Sequence, residues 1–253
     1  MAQKRFKKAV FKEIFFIITH LHKARKMIKR TDKYTSEDRA KFAREIMTRM
    51  RKAAKTHSLV YGMENLPTEG GFIMYSNHQG KYDAIGIIES YDKPCRALWK
   101  RETADYIVAR ECCGLIEAKT IDVEKELLAT LRTLNEIAKE VKEEGRVYLI
   151  FPEGGYAENK NALQEFKHGC FRCSLKSKSP IVPVCIYDSW KSMDQDSLKE
   201  WVTTQIHYLE KIPYEDYKHL DEKGLAELVK SKIQERLALI ESGADFGVPS
   251  KIL

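Results

Sequence analysis

One short stretch of the chain, Asn77-His78-Gln79-Gly80-Lys81-Tyr82-Asp83, brings together side chains that can move a proton. It follows an apolar run at 72–76 that is typical of a β-strand, and it leads into a helical pattern. Sites in α/β proteins form beyond the carboxyl ends of strands. There, an aspartate one helical turn from a histidine can bind one ring nitrogen and leave the other as a base. We therefore predict a His78–Asp83 dyad, with a histidine that merely caps the helix as the alternative.

A second candidate segment, Phe151-Pro152-Glu153-Gly154-Gly155-Tyr156, ends the most apolar predicted strand. The paired glycines Gly154 and Gly155 let a substrate come close to the backbone. A carboxylate such as Glu153 at the end of a buried strand is costly unless it binds something, the alternative being a carboxylate satisfied within its own turn. The sequence has no Gly-x-Ser-x-Gly motif for a serine nucleophile, so the hydroxyl to be activated is expected on the substrate.

A third segment, Ile181-Val182-Pro183-Val184-Cys185-Ile186, is typical of a core strand. Proline cannot donate a backbone hydrogen bond to a neighbouring strand. Pro183 therefore suggests a bend or a sheet edge.

The elements that must position these segments follow from the pattern after residue 57, where short apolar runs alternate with helical patterns. The predicted strands lie at 59–61, 72–76, 96–99, 115–118, 147–151, 181–187 and 203–209. The predicted helices lie at about 83–89, 102–111, 123–144 behind a cap at Asp122, 169–176 and 225–240. The sequence thus predicts an α/β fold with a mixed, mostly parallel sheet flanked by helices.

The N-terminal segment predicts a basic amphipathic hairpin of two helices, over residues 1–57, that precedes an α/β domain at 58–253. The first helix, at 4–30, carries an apolar stripe of Phe6, Val10, Ile14, Ile17, Leu21, Ala24 and Ile28. A second apolar row consists of Phe11, Phe15 and Ile18. The opposite side is basic, with Lys8, Lys12, Lys23 and Lys26. The second begins at the capping signature Thr35-Ser36-Glu37-Asp38 and runs to about residue 55. A hairpin that only covers its own domain is the alternative to one that docks on a membrane.

Charge is distributed unevenly along the chain, whose formal net charge is +7. Residues 1–57 hold 18 Lys and Arg against 5 Asp and Glu, whereas the rest holds 26 against 32. Attraction to anionic lipid therefore belongs to the N-terminal segment. A nucleic-acid binder is disfavoured, because this segment pairs its charge with an apolar stripe and shows no reader motif.

Membrane-spanning and secreted classes are also disfavoured. The longest apolar run near the N-terminus, residues 14–18, is far shorter than the roughly 20 residues of a membrane span, and no cleavage site follows it. The six cysteines are expected to be reduced thiols. Cys170 and Cys173, with His168, lack the second ligand pair of a zinc site, so no metal is predicted.

Taken together and in order, the three segments resemble the motifs of the glycerolipid acyltransferase family, whose best-known members are the lysophosphatidate (1-acylglycerol-3-phosphate) acyltransferases. The resemblance covers about residues 58–215 and rests on Asn77-His78 with Asp83, which match the family's Asn-His-x4-Asp block. Phe151-Pro152-Glu153-Gly154 and Ile181-Val182-Pro183-Val184 match its later blocks. It implies a glycerolipid acyltransferase-like core in which His78 takes the proton of an acceptor hydroxyl, Asp83 fixes the imidazole and Glu153 helps to position the acceptor.

Two arginines usual in the family are missing. Gly155-Tyr156 stands where members have Thr-Arg, and Lys119-Thr120 stands near the position of the second arginine. An arginine fork is the usual planar partner of a phosphate, and lysine offers only a point charge. Lys119 and Lys167 are the predicted substitutes, with Lys100 and Arg101 as alternatives; Asn77, Glu153, Gly154 and Gly155 complete the predicted substrate-binding set.

The resemblance implies a 1-acylglycerol-3-phosphate O-acyltransferase of phospholipid biosynthesis. It implies no cofactor, with acyl-CoA or acyl carrier protein as the acyl-donating co-substrate. The expected partner surface is the anionic inner leaflet, with the protein peripheral on the cytoplasmic face of the cell membrane. An acyltransferase for a non-phosphate or other lysolipid acceptor, and a catalytically silent lipid-binding homologue, are the alternatives.

Overall fold

The computed structural model describes residues 4–104, 107–122, 126–157, 159–193 and 199–253. Its strands are β1 (Thr56–Tyr61), β2 (Phe72–Ser76), β3 (Arg96–Lys100), β4 (Lys119–Ile121), β5 (Val147–Ile150), β6 (Ile181–Tyr187), β7 (Val202–Tyr208) and β8 (Lys251–Ile252). Its helices are α1 (Lys4–Lys12), α2 (Ile14–Lys29), α3 (Ser36–Ala53), α4 (Asp83–Ser90), α5 (Arg101–Ala104), α6 (Ile107–Leu115), α7 (Leu127–Glu144), α8 (Arg172–Ser177), α9 (Trp190–Met193), α10 (Tyr214–Tyr217) and α11 (Glu222–Glu241).

The strands form one sheet in the order β4-β3-β5-β2-β6-β7-β1-β8. Five neighbouring pairs are parallel, and the β6–β7 and β1–β8 pairs are antiparallel. This confirms the predicted mixed, mostly parallel sheet. Strand β2 lies between β5 and β6 in parallel register, so the carboxyl ends of these three strands meet at one edge of the sheet.

Both faces of the central strands β2, β5 and β6 are buried. Phe72 and Met74 point into one hydrophobic core, and Ile73 and Tyr75 point into another on the opposite face. This alternation is the period-two geometry of a strand covered on both sides. Helices α2, α3 and α4 contribute to the first core, and α7, α8 and α11 to the second.

The N-terminal helices pack on this sheet. Ile17 and Met27 of α2 and Phe42 and Ile46 of α3 belong to the same core as Phe72 of β2. The predicted capping signature is confirmed: Thr35 caps α3, and its hydroxyl and the Asp38 carboxylate bind each other's backbone N–H groups. The first predicted helix is divided at Glu13, whose buried carboxylate turns inward and binds Arg49 at 2.6 Å.

The second apolar row of the first helix faces outward. Phe11, Phe15 and Ile18 are 79%, 80% and 62% exposed, and Ile14 of the predicted inner stripe is exposed as well. The side chain of Phe6 lies outside what the structure describes. In the described ranges, no helix has the length and apolar character that a membrane span requires.

Several predicted element boundaries were wrong. Residues 115–118 were predicted as a strand, but Leu115 ends α6 and the strand follows at Lys119–Ile121. Periodicity cannot separate a short buried strand from the buried end of a helix. The helix predicted from residue 123 begins at Leu127 in the described part of the chain, with Glu126 rather than Asp122 as its N-cap. Residues 123–125, and 105–106 within the helix predicted at 102–111, lie outside the described residues.

Pro183 lies in the interior of the sheet, so the expectation of an edge was wrong. Strand β6 pairs with β2 on one side and with β7 on the other. The Pro183 carbonyl accepts the Leu209 N–H at 2.9 Å, and Leu209 lies just past the end of β7. The N–H that proline lacks would face Leu209, beyond the last residue of β7, so no hydrogen bond of the β6–β7 pair is lost.

Candidate active site

The loop that carries the predicted dyad begins where β2 ends, at Ser76, and ends where α4 begins, at Asp83. Asn77 fixes its start, because its side chain donates to the Ile186 carbonyl at 2.9 Å and accepts the Ile186 N–H at 2.8 Å. Asn77 is buried. The structure thus uses both polar atoms of the Asn77 amide to hold β2 to β6, in place of the predicted contact with substrate.

His78 and Asp83 form the predicted pair. His78 Nδ1 lies 2.7 Å from Asp83 Oδ2, and the same oxygen accepts the backbone N–H groups of Gln79 and Gly80. Since a carboxylate bound by these donors acts as an acceptor, Nδ1 is the donor of this bond, and in the neutral imidazole the lone pair is then on Nε2. The Asp83 side chain is fully buried, whereas that of His78 is 17% exposed. The arrangement presents one basic nitrogen at the carboxyl edge of the sheet.

Two aromatic rings enclose the imidazole. Phe151, directly after β5, stacks on His78 with ring centroids 4.3 Å apart, and Tyr156 meets it edge-on at 4.9 Å. The Tyr156 hydroxyl lies 2.8 Å from the Lys81 ammonium. The two rings pack against the imidazole, and Tyr156 links it to a cation on the same loop as His78.

Glu153 joins the loops after β2 and β5. Its Oε1 accepts the backbone N–H of His78 at 3.1 Å, and its Oε2 accepts from the Gln164 side chain at 2.5 Å. Burial raises the pKa of the Glu153 carboxyl above its usual range, against the opposing effect of these hydrogen bonds. Both oxygens thus bind donors of the protein, which favours a role in joining the loops over the implied contact with the acceptor.

The two glycines after Glu153 lie against lysine side chains. Gly154 has a φ of +70°, and a Cβ added there would lie 3.0 Å from Lys167 Nζ. A Cβ on Gly155 would lie 3.5 Å from Lys100 Nζ. The absence of side chains at this turn therefore lets two ammonium groups approach the loop that binds the His78 backbone.

Lys119 is not brought to this place. At the start of β4, its ammonium binds Glu140 at 2.8 Å and Glu136 at 3.3 Å, both on α7. Three strand spacings, about 14 Å, separate β4 from β2. The geometry therefore does not support the prediction of Lys119 as a headgroup contact near His78. Lys119 lies on the edge strand β4, and two glutamates of α7 neutralise its charge there.

A residue after β6, Ser189, also binds the Asp83 carboxylate, and the sequence analysis did not predict it. The hydroxyl of Ser189 donates to Asp83 Oδ1, and the backbone N–H of Ser189 donates to the Gln79 side chain at 2.9 Å. Gln79 also donates to Asn161 at 3.0 Å. The signal that could have found Ser189 is its place just past the carboxyl end of β6, the strand beside β2.

His168 and Cys170 lie in a short 3-10 helix at 168–171, and Cys173 lies in the first turn of α8, which follows it. All six cysteines are free thiols. Within the ranges that the structure describes, no three His, Cys, Asp or Glu side chains are grouped as metal ligands.

Known proteins share both the sequence pattern and the fold. A family model described as Acyltransferase matches residues 57–187, which is more than half of the chain. The 1-acyl-sn-glycerol-3-phosphate acyltransferase alpha of Ovis aries is 27% identical over 173 residues, 68% of this chain and 59% of that protein. The 1-acyl-sn-glycerol-3-phosphate acyltransferase of Borreliella burgdorferi is 24% identical over 185 residues, 72% of each chain.

The fold is similar to that of a solved relative. The crystal structure of the 1-acyl-sn-glycerophosphate acyltransferase PlsC from Thermotoga maritima superposes with a TM-score of 0.74, at 17% identity, over 94% of this chain and 95% of that one. This likeness supports the observed architecture, including the helices that precede the sheet. The family match spans β1 to β6 and so contains His78, Asp83 and Glu153. The chain belongs to the acyltransferase family.

Proposed function

We propose that this chain is a 1-acylglycerol-3-phosphate O-acyltransferase that moves a fatty acyl group from a thioester to the free hydroxyl of a lysophospholipid. The observation that carries the proposal is the 2.7 Å contact between His78 Nδ1 and the buried Asp83 carboxylate, which leaves Nε2 as a base. The family membership and the names of the similar proteins support the same chemistry.

The proposed reaction needs one proton carrier. His78 Nε2 takes the proton of the acceptor hydroxyl as the oxygen attacks the thioester carbonyl, and a C–O bond forms. The C–S bond breaks, and the imidazolium returns its proton to the leaving thiolate. Asp83 stabilises the imidazolium that exists between the two transfers. The ring of Phe151, stacked on the imidazole, packs against it during this exchange.

The acceptor phosphate is proposed to bind at the loop that begins with Glu153. Lys167 and Lys100 approach the glycines of this loop, and Lys81 contacts Tyr156 beside His78. Ammonium groups bind phosphate as point charges, without the planar fork of arginine. These lysines would therefore replace the two arginines of the family pattern that this chain lacks.

The acyl donor is proposed to be acyl-CoA or an acyl carrier protein, as the co-substrate of a reaction without a cofactor. Both donors present a thioester to the same base, so the dyad does not distinguish them. The two differ in the carrier attached to the sulfur, a nucleotide in one case and a protein in the other. Parallel assays with the two donors decide between them.

Membrane docking through the first two helices is also part of the proposal. Phe11, Phe15 and Ile18 lie at helical spacing and form an exposed apolar row, with the exposed Lys8 and Lys12 beside it. Apolar side chains that enter the headgroup region, together with lysines that each contribute about 1 kcal/mol near an anionic surface, favour peripheral binding.

Helix α1, which carries Phe11 of this exposed row, packs close to the loop of the dyad. Ala9 of α1 packs in one cluster with Tyr82, the residue before Asp83. A membrane bound by α1 and α2 would therefore present its lipids near the loop of the dyad. The excess of lysine and arginine in residues 1–57 supports the proposal that the docking surface is the anionic inner leaflet, at the cytoplasmic face of the cell membrane.

The decisive experiment offers the purified protein labelled acyl-CoA or acyl carrier protein and a panel of lyso-acceptors with phosphate, sugar or neutral headgroups. We expect transfer to 1-acylglycerol-3-phosphate, and loss of several powers of ten in Asp83→Asn, which keeps the shape but loses the charge. Transfer to a neutral acceptor alone would move the assignment to a glycolipid acyltransferase. Transfer to none would indicate a catalytically silent lipid-binding protein.

A further inference from the structure

The Asp83 carboxylate is held from two sides. His78 Nδ1 and the N–H groups of Gln79 and Gly80 all bind Oδ2, whereas the Ser189 hydroxyl binds Oδ1. Both Asp83 and Ser189 are buried. Ser189 is thus the side-chain donor to the oxygen that faces away from the imidazole, in a place where water does not compete.

The position of Ser189 is itself strongly determined. Its backbone N–H binds Gln79 Oε1, and the preceding residue, Asp188, adopts a left-handed conformation with a φ of +58°. Asn161 accepts the Asp188 N–H at 2.9 Å and donates to the Asp188 carboxylate at 3.1 Å. The turn after β6 therefore aims the hydroxyl at Asp83 through several independent contacts.

We propose that Ser189 is a positioning residue that fixes the orientation of the Asp83 carboxylate toward His78. Its kinetic consequence rests on the proposed acyl transfer. Without the hydroxyl, Oδ1 would lack this donor in a buried site, and the carboxylate could rotate about its Cβ–Cγ bond. A rotated carboxylate stabilises the imidazolium less in the transition state, so turnover falls while substrate binding stays the same.

The kinetic test compares Ser189→Ala with Ser189→Thr. We expect kcat to fall about ten-fold or more in Ser189→Ala, with KM for both substrates within about two-fold of wild type. Ser189→Thr keeps a hydroxyl and is expected to restore most of kcat. Ser189→Cys, which has a similar volume and a weaker donor, gives the same comparison should the alanine variant not fold.

A matched control is available three residues along the chain. The Ser192 hydroxyl is equally buried but lies 2.7 Å from the Thr56 hydroxyl, away from the dyad. Ser192→Ala therefore removes the same group at a similar cost in folding stability. We expect it to keep the wild-type kcat and KM.

A second readout does not depend on turnover. The Nδ1 proton of His78 is hydrogen-bonded to a carboxylate, so it gives a downfield proton resonance that His78→Ala removes and thereby assigns. We expect Ser189→Ala to move or broaden this resonance, and Ser192→Ala to leave it in place. The resonance reports the hydrogen bond between His78 Nδ1 and the Asp83 carboxylate.

The two readouts separate the outcomes. An inactive wild-type protein whose His78 resonance still moves in Ser189→Ala would contradict the proposed function and support the positioning role. A folded Ser189→Ala variant with wild-type kcat and an unmoved resonance would overturn the positioning role. A Ser189→Ala variant that raised KM and left kcat unchanged would also overturn the positioning role.

Discussion

The carboxylate of Glu153 accepts the backbone N–H of His78 at 3.1 Å, although 75 residues separate them along the chain. Two segments that stand apart in the sequence are therefore one unit in the fold. Gln164 binds the other oxygen of Glu153 and the Gly155 carbonyl, so the whole turn after β5 is fixed relative to the dyad.

We expect Glu153→Ala to lower kcat about ten-fold or more, because the His78 backbone loses a buried charge-assisted partner. Glu153→Gln keeps an acceptor oxygen and is expected to retain more activity than the alanine variant. Steady-state kinetics check this, with the exposed Glu165→Ala as the control. An effect on acceptor KM alone would favour direct acceptor contact instead.

The lysines of the proposed phosphate site give a second test. We expect Lys167→Ala to raise KM for a phosphorylated acceptor about ten-fold and to change KM for a neutral acceptor little. The contact with the phosphate is lost equally from the bound substrate and from the transition state, so KM changes and kcat does not. Lys119→Ala is the matched control, because its ammonium is paired with Glu140 and Glu136. Equal kinetics of the wild-type protein on both acceptors would show that no phosphate site exists.

Membrane docking is tested by replacing Phe11 and Phe15 with serine. Deleting the first 30 residues would also remove Ile17 and Ala24 from the core, so exposed positions are the better choice. We expect the double variant to bind vesicles rich in anionic lipid several-fold more weakly, and wild-type binding to weaken as salt screens the lysines. Leu239→Ser, at an exposed site on α11, is expected to bind as wild type does.

A vesicle-sedimentation assay measures this binding. Co-sedimentation of the Phe11→Ser, Phe15→Ser double variant at wild-type levels would remove the docking role of the apolar row. Turnover on a soluble short-chain acceptor is expected to stay near wild type in the same variant, because both side chains point away from the core.

The buried His207 is expected to make the free energy of unfolding depend on pH. Burial, with a smaller effect from Arg236, lowers the pKa of His207 to about 3. The unfolded chain binds a proton near pH 6.5 and the folded chain does not, so stability is full above that pH and is lost as the pH falls toward 3. We expect His207→Gln to reduce the slope of unfolding free energy against pH, between pH 4 and 6, by up to about 1.4 kcal/mol per pH unit. Urea titrations measure it; an unchanged slope would contradict the assignment.

The dyad was predictable because its chemistry is local. His78 and Asp83 lie five residues apart across the start of a helix, and strand β2 before them is a plain apolar run. Strand β5 and the turn at Glu153 were predictable for the same reason. The start of α3 followed from the capping pattern at Thr35, whereas the cap predicted at Asp122 was wrong.

Long-range relationships were not predictable. Ser189 reaches Asp83 across 106 residues, and only the order of the strands brings them together. Periodicity found two apolar rows on the first helix but could not decide which row the sheet would cover. Lys119 was predicted from motif position alone, and its partners lie on a helix that the motif does not include.

The central claim is that His78 is the base of an acyl transfer, and one measurement tests it most directly. Transfer of labelled acyl groups from acyl-CoA or acyl carrier protein to 1-acylglycerol-3-phosphate is followed for wild type and His78→Ala, with circular dichroism to confirm that both fold. We expect wild-type transfer and a loss of nearly all of it in the variant, because the hydroxyl then has no base. Near wild-type turnover in a folded His78→Ala protein would contradict the account.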